Sequence, residues 1–334
     1  MKRLLNQPEA YVTEMLEGIY AAHPDQVACV GDDVKCLATT HKKPGKVAIC
    51  TGGGSGHLPL FLGYVGDGLL DGCCVGEVFQ SPRSMQILET TKHIDNGAGV
   101  LYIYGNYSGD ILNFDMAKDM AEMEDIEIRQ VVAGDDVASA PKEKAQIRRG
   151  VAGIYYVYKC AGAAADEMMS LDEVTRVAEK VCANVRTMGM ALSPCIIPEV
   201  GKPSFEITEG EMEIGMGIHG EPGIQVEPLK SADEIVDIML PKILEDLPYE
   251  NGDEVAVLVN GLGATPKEDL YVIFRRISQV LKEKGISVFH VDVGEYATAM
   301  EMAGMSISLL KLDDELKRLV ARPCHTPFFT QVQL

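Results

Sequence analysis

Short apolar runs and amphipathic stretches alternate along most of the chain. Residues 46–50, 99–104 and 126–132 are apolar runs that predict buried strands. Residues 8–20 and 114–123 carry apolar side chains at helical spacing, which predicts helices that each bury one face. Strands and helices that alternate in this way predict an α/β fold built from βαβ units.

The same rhythm returns in the second half of the chain. Ser170, followed three residues later by Glu173, predicts a capping box at the start of a long amphipathic helix. Residues 193–203 are rich in Pro and Gly, which predicts a connection between domains. After it come predicted strands at 205–208, 212–215, 254–260 and 287–293 and predicted helices at 232–244 and 270–284. Because 334 residues exceed what most single cores support, we predict two α/β domains with mixed sheets flanked by helices, residues 1–190 and 191–334.

Charge and cysteine usage narrow the classes of partner. The chain carries 50 acidic and 30 basic residues, a formal net charge of -20, which argues against binding to nucleic acid or to anionic membranes. Its nine cysteines are scattered without a C-x-x-C pair, and no secretory leader is recognisable, so we expect reduced thiols and a cytoplasmic location. The most apolar segment, residues 151–165, is short and contains Lys159, so no membrane span is predicted.

Three glycine-rich elements follow predicted strands, at residues 51–57, 105–110 and 215–223. Ligands of open α/β sheets bind at the carboxyl ends of strands, so these elements are candidate site loops. The first lacks the Gly-Lys-Ser/Thr of a P-loop, and neither it nor residues 261–266 completes a dinucleotide fingerprint. No metal-ligand spacing accompanies them. We therefore predict that this chain itself binds no nucleotide cofactor and no metal.

The candidate chemistry lies on three side chains of these elements. Residues 215–223 place His219 among four glycines, so a small molecule could reach a ring nitrogen directly. His57 and Asp110 end the other two elements, and backbone amides around Ser55 could hold oxygen atoms. Each residue also has a purely structural interpretation: both histidines suit a turn, and Asp110 suits a helix N-cap. Together the three indicate a site without defining its substrate.

Seven segments resemble, in this order, the substrate-binding K subunits of dihydroxyacetone kinases: residues 52–57, 109–114, 148–152, 201–205, 216–223, 260–266 and 306–311. The similarity runs nearly end to end. The chain ends soon after Pro327 with no fused nucleotide-binding domain, so it is similar to a stand-alone K subunit of the phosphotransferase-system-dependent type.

The resemblance implies roles for individual residues of a homodimeric two-domain protein. His219 would add to the ketone carbon of dihydroxyacetone and hold it as a covalent hemiaminal. Because this addition needs a carbonyl, glycerol would not be captured. Asp110 would act as the base for the attacking hydroxyl, and His57 would form a hydrogen bond near it. The residues lining the substrate would be Gly54, Ser55, Gly56, His57 and Asp110.

The resemblance also implies partners and a cofactor outside this chain. The phosphoryl donor would be a helical L subunit that carries ADP or ATP with Mg²⁺ and is recharged by a phosphoprotein of the phosphotransferase system. Related paralogues sense dihydroxyacetone as transcriptional co-activators, which is a second interpretation, and a noncatalytic scaffold is a third. Retention of both His57 and Asp110 favours the kinase.

Two positions and one segment depart from the family pattern near the site. Leu58 replaces a usual Glu, Gly105 replaces a usual Lys, and residues 80–85 differ from the common Thr-Ser-Pro-Thr-Pro run. Loss of the lysine would remove a hydrogen bond worth about 1 to 3 kcal/mol if buried, and would open space. We therefore hypothesise a preference for a longer ketose, such as a four-carbon tetrulose.

Overall fold

The computed structural model describes residues 3–333. The helices are α1 (Tyr11–Ala22), α2 (Ser84–Ile94), α3 (Ser108–Glu122), α4 (Ile154–Asp166), α5 (Leu171–Asn184), α6 (Ala232–Asp246), α7 (Lys267–Glu283) and α8 (Asp314–Val320). The strands are β1 (Val27–Val30), β2 (Asp33–Thr39), β3 (Ala48–Ser55), β4 (Gly72–Val78), β5 (Val100–Gly105), β6 (Ile128–Ala133), β7 (Val185–Ala191), β8 (Glu211–Ile214), β9 (Gln225–Pro228), β10 (Glu254–Gly261), β11 (Ser287–Gly294), β12 (Gly304–Leu312), β13 (Cys324–His325) and β14 (Thr330–Gln331).

The strands form two mixed six-stranded sheets and one two-stranded ribbon. The first sheet has the order β1-β2-β4-β3-β5-β6, in which β4, β3, β5 and β6 run parallel. The second has the order β11-β10-β12-β7-β8-β9, in which β10 and β11 run parallel and the other neighbours antiparallel. Two mixed sheets flanked by helices confirm the predicted fold class.

One apolar core joins the two sheets. Helix α4 is buried along residues 154–165. Ile49 and Leu101 of the first sheet belong to the same buried cluster as Leu258 and Leu310 of the second. Burial on both sides explains why the segment 151–165 is so apolar without spanning a membrane. Within residues 3–333 no helix is both long and apolar enough to cross a bilayer. The shared core holds loops from the two sheets next to each other.

Some local predictions are confirmed and others are wrong. Ser170 and Glu173 form the predicted capping box at the start of α5. Residues 205–208 form no strand. Residues 193–203 join β7 to β8, which are neighbours in the second sheet. The division into 1–190 and 191–334 falls at the end of β7 and stays a prediction.

Candidate functional site

His219 lies in the glycine-rich turn between β8 and β9, with 22% of its side chain exposed. Its Nδ1 is 2.8 Å from Oε1 of Glu221, and its backbone N–H donates to Oε2 of the same carboxylate at 2.9 Å. A carboxylate can only accept, so Nδ1 carries the hydrogen, and in the neutral tautomer Nε2 is the nitrogen that has the lone pair. A Cβ on Gly217 would overlap the Glu221 carboxylate, so glycine is required there.

Glu221 is itself held in place by Arg149. An Nη1 to Oε2 distance of 3.9 Å joins the two side chains, and Arg149 also donates to Asp136 at 2.8 Å and to the carbonyl of Gly215 at 3.1 Å. Although burial raises it, the hydrogen bond from His219, together with the charge of Arg149, holds the pKa of Glu221 at about 2. The carboxylate is therefore ionised and keeps the ring of His219 in one orientation.

His57 lies just beyond the end of β3 and is 1% exposed. Its Nδ1 is 2.7 Å from the carbonyl oxygen of Thr298, which can only accept, so Nε2 is again the unprotonated nitrogen of the neutral ring. Burial, and then the neighbouring ring of His219, lower the pKa of His57 to about 3. Its buried Nε2 has no hydrogen-bond partner within residues 3–333. The site thus holds a neutral histidine whose free nitrogen accepts a hydrogen bond.

Asp110 is the third residue of α3 and is 6% exposed. Its predicted placement on a loop is wrong, and so is the N-cap alternative, because the helix begins at Ser108 with Tyr107 as its N-cap. Burial raises the pKa of Asp110 to about 6, partly offset by the Ser81 hydroxyl. Its Oδ1 is buried without a partner among the described residues. A buried, unpaired carboxylate oxygen of raised pKa is typical of a functional base.

The predicted glycine loop at 51–57 is largely strand, because β3 continues to Ser55. Ser55 donates its hydroxyl to the carbonyl of Gly76 at 2.8 Å. A Cβ on Gly54 would lie 2.6 Å from Cα of Phe79, and one on Gly56 would lie 2.8 Å from the sulfur of Met300. Close packing therefore demands these two glycines. Contact of Gly54, Ser55 and Gly56 with a substrate stays a prediction.

The structure brings the three candidate side chains together from both sheets. The ring centroids of His57 and His219 are 4.8 Å apart, and His219 is near enough to Asp110 to lower its pKa slightly. Phe79 stacks on His57 at 4.8 Å, and Tyr107 meets His219 edge-on at 4.8 Å.

Residues 298–300, which follow β11 of the second sheet, bond to the backbone next to His57. The amides of Thr298 and Met300 donate to the carbonyls of His57 and Gly56, at 3.2 Å and 2.8 Å. Phe79 and Met300 both adopt positive φ, 60° and 58°, a strained conformation that concentrates at functional sites. These hydrogen bonds join the loop that carries His57 to the segment after β11, and they hold His57 next to His219 without a ligand.

Sequence reasoning missed Glu221, Arg149 and Thr298. The first was detectable, because an acidic residue two positions after His219 in a short turn is within reach of the ring. The other two become neighbours of the site only through the tertiary fold.

The two departures from the family pattern look different in the structure. A Cβ on Gly105 would lie 3.1 Å from the ring of Tyr107, so the expectation of open space beside Gly105 is wrong. Leu58 is half-buried against the apolar core, and its carbonyl accepts a hydrogen bond from Thr298 at 3.0 Å. Neither position holds a charge at the site.

Within the described part of the chain, no group of three or more His, Cys, Asp or Glu side chains is arranged to hold a metal ion. All nine cysteines are unpaired. The titratable groups that converge on the site are therefore the two histidines, Asp110 and the Glu221 that holds His219.

The chain is similar to known proteins along nearly its whole length. The model of the Dak1 domain matches residues 17–328. The chain belongs to the Dak1 domain family, which confirms the resemblance drawn from the seven sequence segments.

Individual relatives extend this result. A protein of Listeria innocua named PTS-dependent dihydroxyacetone kinase 2, dihydroxyacetone-binding subunit DhaK, is 46% identical over 98% of this chain and 99% of its own length. An L-erythrulose kinase of Pectobacterium atrosepticum is 42% identical over 98% of this chain, which spans 56% of that protein. A solved structure described as the dihydroxyacetone kinase operon co-activator Dha-DhaQ superposes with a TM-score of 0.88 at 32% identity, covering 93% of this chain and 96% of that one.

Proposed function

We propose that this protein is the ketose-binding subunit of a phosphotransferase-system-dependent kinase, which captures dihydroxyacetone or a related short ketose on His219 and presents its hydroxyl for phosphorylation. The names of the relatives support the reaction class. The observation that carries the proposal is a nucleophilic nitrogen beside two unsatisfied acceptors. Nε2 of His219 is free to attack, while Nε2 of His57 and Oδ1 of Asp110 lack partners among residues 3–333.

The capture step follows from the hydrogen bonding of His219. Its Nε2 lone pair forms a bond to the carbonyl carbon, while the C=O π pair moves onto oxygen. The ring becomes positively charged, and the ionised carboxylate of Glu221, 2.8 Å from Nδ1, stabilises that charge. In the neutral hemiaminal the oxygen has gained one proton and the ring has lost its Nδ1 proton, so the charges balance.

The transfer step uses the two unsatisfied acceptors. A substrate hydroxyl donates to Nε2 of His57 or to Oδ1 of Asp110, which satisfies a buried group that otherwise costs free energy. Because phosphoryl transfer has a loose transition state, Asp110 needs only to orient the hydroxyl and take its proton late. We assign the ADP or ATP and the Mg²⁺ to an L subunit recharged by a phosphotransferase-system phosphoprotein, and we assign this chain to a cytoplasmic homodimer.

A second candidate is a ketose sensor that acts as a transcriptional co-activator. The 0.88 TM-score with the co-activator favours it. Both functions need His219, but the transfer groups His57 and Asp110 matter for the kinase alone.

The test begins with intact-protein mass analysis after incubation with dihydroxyacetone and, separately, with glycerol. We expect one bound ketose, lost on boiling or in the His219→Ala variant, and no adduct with glycerol. Adding the nucleotide-loaded L subunit and the phosphoprotein system should then yield phosphorylated ketose. An adduct without phosphorylated product would establish the sensor, and no adduct at all would refute both functions.

Replacement of Glu221 by Gln should weaken capture while leaving the fold intact. An amide cannot stabilise the charged ring as a carboxylate does, and it also allows the other tautomer of His219. We expect the half-saturating ketose concentration to rise about tenfold or more, with a smaller change in kcat. The measurement is ketose titration by calorimetry. Glu227→Gln, in β9 beyond the same turn, is the matched control, and equal effects of the two changes would contradict this role.

The ketose preference can be tested directly. The 42% identity to an L-erythrulose kinase supports a four-carbon substrate, as does the absence of a charged side chain at Leu58 and Gly105. We expect kcat/KM for erythrulose to exceed that for dihydroxyacetone in a side-by-side assay with the same L subunit. Equal or better use of dihydroxyacetone would contradict the preference without affecting capture by His219.

A further inference from the structure

Arg83 differs from every other arginine of the described chain in its lack of an ionic partner. The other ten arginines each form at least one ion pair. Arg83 is exposed, and its guanidinium makes neither an ion pair nor a hydrogen bond within residues 3–333. In a chain with a net charge of -20, a free guanidinium is the exception. It is available to an anion that comes from outside.

The position of Arg83 places it beside the site. It precedes α2, whose first N–H, on Ser84, donates to Oδ1 of Asn113 on α3 at 3.0 Å. A Cβ on Gly109 would lie 2.6 Å from the hydroxyl oxygen of Ser81, so the segment leading to Arg83 packs on the first turn of α3. That turn carries Asp110. Arg83 therefore lies at the rim of the site, two residues from a side chain that acts on the proposed base.

Space for a charged group exists on the same side. A cleft of about 630 Å³ has Gln80, Ser81 and Arg83 in its wall. Two of its three carboxylates already have partners: Glu77 pairs with Lys35, and Asp33 accepts from Gln86 at 2.7 Å. Arg83 is thus the unpaired cation of this wall.

The two helices next to Arg83, α2 and α3, carry exposed apolar side chains. Met85 on α2 is 55% exposed, and Leu112 and Met116, one turn apart on α3, are 61% and 48% exposed. Helices α2 and α3 pack side by side, and the hydrogen bond from Ser84 to Asn113 joins the neighbours of Met85 and Leu112. Methionine and arginine are enriched in protein interfaces. We call Arg83, Met85, Leu112 and Met116 the rim patch.

We propose that the rim patch is the docking surface for the phosphoryl-donor subunit, and that Arg83 contacts the phosphates which that subunit presents to the captured ketose. This rests on the proposed function. A donor phosphate must approach the hydroxyl held by Asp110, so the donor protein has to cover the residues around that site. A guanidinium suits the contact because its fork of N–H groups matches phosphate oxygens and its charge opposes theirs. If the anion that pairs with Arg83 is a phosphate carried by the donor subunit, its lack of a partner within residues 3–333 is explained.

The test separates donor contact from ketose capture. The variants are Arg83→Ala, Arg83→Lys and Leu112→Asp. For each variant, mass analysis measures the ketose adduct, and calorimetry measures the affinity for the L subunit loaded with ADP and Mg²⁺. The turnover number kcat is measured as well. We expect all three to form the adduct as the wild type does. Arg83→Ala and Leu112→Asp should weaken L-subunit binding or lower kcat about tenfold, and Arg83→Lys should recover part of the loss.

Matched controls lie on the second sheet's helix α7. Arg275→Ala removes an exposed arginine that pairs with Asp233, and Val272→Asp adds a charge at an apolar residue that is 47% exposed. Neither should change L-subunit affinity or kcat. Wild-type values for the rim variants, or equal losses in the controls, would overturn the rim patch. A chain that captures ketose but never binds the L subunit would overturn it as well, whereas failure of the adduct itself would refute the proposed function.

Discussion

Replacement of His219 by Ala should abolish ketose capture and lower kcat/KM by about a thousandfold or more, because the substrate then loses both its covalent bond and its fixed position beside Asp110. The loss should be visible as an absent adduct in the intact-protein mass. The side chain is partly exposed in a turn, where its ring bonds to Glu221 and meets His57 and Tyr107 edge-on, so its removal should cost only a small part of the folding stability. We therefore expect an unfolding midpoint close to that of the wild type.

His93→Ala is the control for this change, since His93 is an exposed histidine on α2. The control should keep the adduct and full turnover. An intact adduct in the His219 variant would place capture on another residue and would refute the mechanism.

Replacement of Asp110 by Asn should separate capture from transfer. The amide cannot take the hydroxyl proton, so we expect kcat to fall by about a hundredfold to a thousandfold while the adduct still forms. Capture needs only Nε2 of His219, whose orientation is set by Glu221. Adduct mass and steady-state rates with the L subunit measure the two steps separately. Asp119→Asn, an exposed site on the same helix, is the control.

The pH dependence of kcat should identify the same group. Burial raises the pKa of Asp110 to about 6, and the base must be ionised, so kcat should fall as the pH drops through about 6 and be pH-independent above it. His57 cannot cause this fall in kcat, because burial lowers its pKa to about 3 and the ring stays neutral throughout. The residual kcat of the Asp110→Asn variant should not fall as the pH drops through about 6. If kcat of that variant still falls at low pH, a group other than Asp110 causes the fall.

The fold class was predictable because each strand and helix has its own local pattern. The apolar run 254–260 became β10, and the capping box at Ser170 became the start of α5. Predictions from local patterns failed where packing against distant residues determines the backbone conformation. Residues 52–54 were predicted as a loop from their glycines, yet they extend β3, because Phe61, Phe79 and neighbouring backbone leave no room for side chains there.

The candidate site was predictable in its members but not in their chemistry. His57 and His219 stand out in the sequence because glycines surround them. Which nitrogen is free depends on Thr298, which is 241 residues from His57 in the chain. The shifted pKa of Asp110 depends on burial at the start of α3, which its flanking residues alone do not indicate.

By itself, the sequence determined the two-sheet α/β class, the family and the three side chains of the proposed reaction, because periodicity and short motifs are local properties. Only the tertiary structure decided that His57 and His219 meet, that Glu221 and Thr298 orient them, and that Arg83 stays unpaired at the rim. The reason is physical: desolvation, hydrogen-bond direction and the distance between charges depend on which distant segments pack together, and the shared core around α4 sets that packing.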